Sequence, residues 1–148
     1  MTAGSTTLNL GTARFNGATL KQRTPQLASD WFVDVTNLLV GVGGLTLEVD
    51  SHAWLGTQPK ADPASTGGVL TKTGAGRLVL PPTALDIHVN NGTLALTTAY
   101  AGNDGQAAGT VTLGTGSALE IGATRGAAGM TLELNGNPLL LTPYSFSS

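Results

Sequence analysis

Asp86 and His88 lie two residues apart in Leu85-Asp86-Ile87-His88-Val89. Glu48 and Asp50 have the same spacing in Leu45-Thr46-Leu47-Glu48-Val49-Asp50. In an extended chain residues i and i+2 face the same way, so each pair shares an outward face. Carboxylates, or an acid with a base, converging in a groove are the groups that cleave a glycosidic bond. A polysaccharide-cleaving or carbohydrate-binding β-helix is therefore one reading. Against it, the chain holds only nine acids, spread along its length. Outward acids so dispersed read as solvated charges that keep a face soluble. Asp50-Ser51-His52 contains three triad residue types, but neighbours along a strand point to opposite faces, so that order places no nucleophile against a base. His52 and His88 show no metal-ligand spacing. Asn103-Asp104-Gly105 is a fragment of a calcium-loop pattern without its other oxygen ligands and reads as a turn. The glycine clusters lack a phosphate-cradling context and read as corners. With no cysteine there is no disulfide, thiolate metal site or thiol nucleophile. The residues point to no catalytic group, no cofactor and no metal, and the chain is expected not to be an enzyme.

What remains for recognition is aromatic and apolar surface. Trp54 follows a polar strand end, and Tyr100 adjoins a glycine-rich loop containing Asp104. Tyr144 and Phe146 follow the apolar run Leu139-Leu140-Leu141. Exposed, such rings stack on sugars or fill a partner's pocket; buried, they pack the core or cap an end. Trp54, Tyr100, Asp104, Tyr144 and Phe146 are the candidate contact residues. The loops from Gly56 to Thr66 and from Tyr100 to Gly109 interrupt the regular pattern and are the candidate contact surfaces.

The elements that must carry these residues are short. Alternating triplets to quintuplets recur: Thr7-Leu8-Asn9-Leu10, Ala18-Thr19-Leu20, 45–49, 78–80, 85–89, 93–96, 111–113, 118–121 and 130–134. Period 2 predicts strands with one buried face, and Glu48, Asp86, His88, Glu120 and Glu133 all fall on the polar side. Trp31 to Val35 also reads as a strand. The region 24–35 is the least regular and reads as a cap or irregular segment, with Pro59 to Ser65 as a loop. Pro81-Pro82 ends a ladder. Lys72 falls on the inward beat after Leu70, and a turn there would let its stem carry the ammonium to water.

Composition agrees. The 148 residues include only 11% charged side chains, under half the usual share of about 25%. That is too few for the wet faces of many helices. A net charge of −2 disfavours a nucleic-acid partner, and 41% apolar content disfavours disorder. No apolar run is long enough to span a membrane, and no basic, apolar leader follows Met1. Asn16-Gly17, Asn91-Gly92 and Asn135-Gly136 supply turn residues, which serve hairpins or solenoid corners equally.

Spacing favours the solenoid. Leu78, Leu94, Leu113 and Leu132 follow one another at 16, 19 and 19 residues, a period typical of repeat architectures. At about 20 residues per coil the whole chain, 1–148, forms a single domain of roughly seven coils. An antiparallel β-sandwich is the alternative fold.

Gly67 to Leu80 reads GGVLTKTGAGRLVL, and Asn91 to Leu96 reads NGTLAL. This pairing resembles the autotransporter-associated β-strand repeat, whose pattern is a glycine, then Leu-Thr-Lys-Thr-Gly-x-Gly-x-Leu-x-Leu, and later Gly-Thr-Leu. Gly43 to Ala53 looks like the strand that precedes it. The resemblance implies a right-handed parallel β-helix of an exported passenger or adhesin, with no catalytic residue to carry over. The chain departs from that family in lacking great length, an export signal and a membrane barrel, and in placing Pro81-Pro82 where small polar residues are usual.

The functional expectation is a non-catalytic structural or adhesive module of an extracellular bacterial surface protein. Its partners would be proteins or copies of itself met through apolar ends, or a glycan. The alternative setting is the virion, as a head-decoration, tail or fibre subunit. The start at Met1 without a signal, the compact size and the apolar C-terminal stretch favour that alternative.

Overall fold

The computed structural model describes residues 11–22, 29–32, 35–65, 68–81, 83–96, 110–121, 132–133 and 139–141. It is all-β. Its fifteen strands, in chain order, are β1 Thr12–Phe15, β2 Ala18–Lys21, β3 Ser29–Trp31, β4 Asn37–Val40, β5 Leu45–Glu48, β6 His52–Leu55, β7 Pro59–Ala61, β8 Val69–Thr73, β9 Arg77–Leu80, β10 Asp86–Val89, β11 Thr93–Leu96, β12 Val111–Leu113, β13 Ala118–Ile121, β14 Leu132–Glu133 and β15 Leu139–Leu141. They stack as a β-solenoid with three faces. The first face is β1-β4-β7, the second β2-β5-β8-β10-β12-β14, and the third β3-β6-β9-β11-β13-β15. Every pairing is parallel. A sandwich of hairpins would need antiparallel neighbours, so that alternative is excluded.

The coil count and the register differ from the expectation. About three turns carry a strand on all three faces, and the later levels add strands to the second and third faces. Seven coils is thus too many, because the early coils are longer than 20 residues: Ala18 pairs with Leu45, and Leu45 with Leu70. Leu78 does pair with Leu94, but Leu94 pairs next with Leu119 on the third face. Leu113 lies on the second face, under Val89. Glycine-bounded apolar triplets mark both faces alike, so spacing alone merges two columns into one.

Alternation builds the core. On the second face Leu45, Leu70, Ile87 and Val111 stack in one inward column. On the third, Ala53, Leu78, Leu94 and Leu119 do the same, and all are buried. Each fully buried Leu or Ile contributes roughly 1.5–3 kcal/mol. An exposed ion pair contributes at most about 1, so these columns, not surface charges, hold the coils together.

Three local readings are corrected. Pro59 to Ser65 is not wholly a loop: Pro59–Ala61 is β7, paired with β4, and its proline sits at the first strand position, where a missing N–H is tolerated. The expected strand from Trp31 to Val35 ends at Trp31, because Phe32 takes φ 55°, a left-handed conformation that stops the ladder. The Thr57 hydroxyl lies 2.5 Å from the Phe32 carbonyl and 2.8 Å from that of Val35. The Phe32 ring meets Phe15 edge-on at 5.5 Å. Third, the chain does not turn at Lys72. Strand β8 runs on to Thr73, and Lys72 is 1% exposed, a core residue. The expected strand at Thr7 to Leu10 lies outside the described residues, as do residues 24–28 of the segment read as a cap or irregular stretch; its residues Ser29 to Trp31 form strand β3 instead.

Candidate contact surface

The second and third faces meet at a tight corner. Three residues separate β5 from β6, β8 from β9 and β10 from β11. So short a corner leaves carbonyls and amides that no strand neighbour can satisfy, and two buried side chains satisfy several of them. Gln22 donates from Nε2 to the His52 carbonyl at 2.7 Å. Its Oε1 accepts from the amides of Ser51 at 2.9 Å and Asp50 at 3.2 Å, one coil on. Lys72 stands in the inward column between Leu47 and Val89. Its Nζ donates to the carbonyls of Gly74 at 2.7 Å, Asn91 at 2.9 Å and Thr73 at 3.1 Å. Three donors meet three acceptors, which is how an ammonium survives among leucines. Burial pushes its pKa down from the ordinary 10.5 to about 8, although the Asp50 carboxylate pulls the other way. The sequence signal for this clasp was present: a lysine on the inward beat beside Gly74-Ala75-Gly76.

The candidate acids do not converge. Asp86 and His88 are both exposed on β10, as the alternation predicts. Glu48 ion-pairs with Lys21 at 2.5 Å, and the Asp86 Oδ1 accepts from the Thr110 amide at 2.8 Å. Strand β8 lies between β5 and β10; Glu48 is level with Thr73, and Asp86 with Val69. That offset is roughly 13 Å along the strands and 9–10 Å across them. Paired glycosidase carboxylates stand about 5–9.5 Å apart. Glu48 and Asp86 are too distant to act as such a pair. His52 and His88 lie on different faces, and Asp50-Ser51 is a corner clamped by Gln22. Among the described residues no three His, Asp or Glu gather to hold a metal.

Of the five candidate contact residues, Trp54 is described. Tyr100, Asp104, Tyr144 and Phe146 lie outside the described residues, as does the loop from Tyr100 to Gly109. Trp54 points outward from β6 between inward Ala53 and Leu55, and is 43% exposed. Across the sheet it is level with Val79. Half-buried His52 shares its face two residues back, level with Arg77. Farther along, Arg77 binds Glu120 through two hydrogen bonds of 2.7 Å. The hydrogen bond to Glu120 raises the pKa of Arg77. The third face thus offers an indole beside an imidazole and an aliphatic side chain, with Arg77 and Glu120 paired to each other. Such a surface can stack a flat or ring-shaped ligand and donate a few hydrogen bonds.

No helix of the described residues is long and apolar enough to cross a membrane. Compared with family models, curated proteins and solved structures, the chain gives no match.

Proposed function

We propose that this chain is a non-catalytic structural and adhesive module of an extracellular bacterial surface protein. The observation that carries the reading is the unbroken parallel register of two six-stranded sheets over a continuous apolar column, the construction of a stiff spacer. The resemblance of Gly67 to Leu80 and Asn91 to Leu96 to autotransporter-associated repeats supports the setting, and exposed Trp54 supports contact with a partner or glycan on the third face. The test is to display the chain on a non-adherent bacterium and count cells retained on a host-cell layer under flow. Retention above the empty-display control is expected, reduced by Trp54→Ala with the fold intact by circular dichroism. Retention equal to the control rejects the adhesive role.

A virion structural subunit is the second reading. It is favoured by β14 and β15, the outermost strands of their sheets among the described residues, since strand edges at a solenoid end can pair with further copies. Light scattering on a sizing column separates the two. A monomer supports the surface module; a discrete trimer or concentration-dependent growth supports the virion subunit.

A further inference from the structure

The chain has two Asn-Gly corners among its described residues, and their hydrogen bonding is opposite. At Asn16-Gly17 both reacting groups are tied to the next coil. The Gly17 amide donates to the Gly44 carbonyl at 2.8 Å, and the Asn16 Oδ1 accepts from the Gly43 amide at 2.6 Å. At Asn91-Gly92 the amide of Gly92 turns instead to the side chain of its own neighbour. It donates to the Asn91 Oδ1 at 2.8 Å, and Asn91 is exposed to water. The side-chain carbonyl and the amide nitrogen that can attack it are therefore already in contact, with no inter-coil bond to break first. A cation stands beside them, since the Lys72 ammonium is 2.9 Å from the Asn91 backbone carbonyl.

From this contrast we propose that Asn91 is a site of spontaneous covalent modification, the point at which the folded chain forms a succinimide and then aspartate or isoaspartate. The Gly92 nitrogen loses its proton and bonds to the Asn91 Cγ. The side-chain nitrogen takes up a proton and leaves as ammonia, closing a five-membered imide. Water then opens either imide carbonyl, so an amide is exchanged for a carboxylate with no oxidant or reductant. The Lys72 ammonium favours the step by stabilising negative charge that develops at the attacking amide. The product matters for the corner. An isoaspartyl link reroutes the backbone through the Asn91 β-carbon, beneath the Gly92 carbonyl that accepts from the Ala118 amide of the next coil. It also sets a new carboxylate beside the buried ammonium.

The test is to incubate the folded chain at 37 °C and neutral pH and follow both sites by peptide mass spectrometry. Isoaspartate is quantified by enzymatic methylation, and the same chain is followed in parallel in urea. In urea the two sites should react alike, since each is an Asn followed by Gly. In the folded chain Asn91 should react roughly tenfold or more faster than Asn16, because two hydrogen bonds must open at Asn16 and each is worth a factor of several. Equal folded rates, or a faster Asn16, overturn the proposal, as does an Asn91 whose folding slows it as much as folding slows Asn16.

Discussion

Arg77 reaches across a whole strand to hold Glu120, 43 residues further along the chain, with Nε on one carboxylate oxygen and Nη2 on the other, each at 2.7 Å. Arg77 belongs to β9 and Glu120 to β13, and β11 lies between them. Ala95 of β11 faces outward between inward Leu94 and Leu96 and is level with Glu120, yet it is only 3% exposed. A double-mutant cycle with Arg77→Ala and Glu120→Ala should give a coupling of about 1 kcal/mol, the upper end for partly exposed pairs, because the contact is bidentate. Urea melts at about 1 M salt should shrink it. Zero coupling at low salt would show the bridge to be ornamental to stability.

Lys72 should be much harder to replace. Methionine fills much of the same column but leaves the Thr73, Gly74 and Asn91 carbonyls without the ammonium. Lys72→Met should cost roughly 2–4 kcal/mol, since buried acceptors lose a charged donor. A lowered urea midpoint with unchanged slope is the expected signature. A neutral or stabilising substitution would mean that the three hydrogen bonds do not offset the burial of the charge.

The same residue sets a pH dependence. In the folded chain Lys72 titrates at about 8, and its ordinary value is 10.5. Between those values the unfolded chain binds more protons than the folded one, so the contribution of Lys72 to stability rises with pH across that window and is flat below it. The stability difference between the wild type and Lys72→Met should widen from pH 8 to pH 10. Melts in which that difference stays constant or narrows would contradict the burial of a charged ammonium.

Alternation made the strands legible in the sequence, including the outward placement of Asp86 and His88, because period 2 is a property of each strand alone. The Lys72 clasp was not legible in the same way. Its third acceptor, the Asn91 carbonyl, belongs to the following coil, and only stacking brings it within reach. Column membership failed for a related reason: the interval from Leu94 to Leu119 depends on how much chain the intervening corner absorbs. The Arg77–Glu120 bridge skips a strand, and no local pattern encodes that.

Two glycines separate steric crowding from backbone strain. Gly92 and Gly116 both have positive φ, 74° and 80°. Among the described residues a Cβ on Gly116 meets nothing within 4 Å, whereas on Gly92 it comes to 2.5 Å from the Gly74 and Gly76 carbonyl oxygens and 2.7 Å from the Lys72 Nζ. Gly116→Ala should cost about 1–2 kcal/mol, the strain of the left-handed conformation alone. Gly92→Ala should cost at least about 2 kcal/mol more, as expected for overpacking a rigid site. Equal costs in urea melts would show that the corner has room to give.

The corner that Gln22 and Lys72 clasp keeps a short connection, three residues from β5 to β6, from β8 to β9 and from β10 to β11 and four from β12 to β13, while the return path from the third face to the second ranges from five residues between β9 and β10 to fourteen between β11 and β12. The molecule therefore has a spine and a fore-edge, like a bound book. Added length on the fore-edge changes loop closure only slowly and leaves the pages aligned, whereas these spine corners differ by one residue at most, and Leu119, after the four-residue corner, still stacks on Leu94. New surface can accumulate along one margin of such a protein while its fold stays the same.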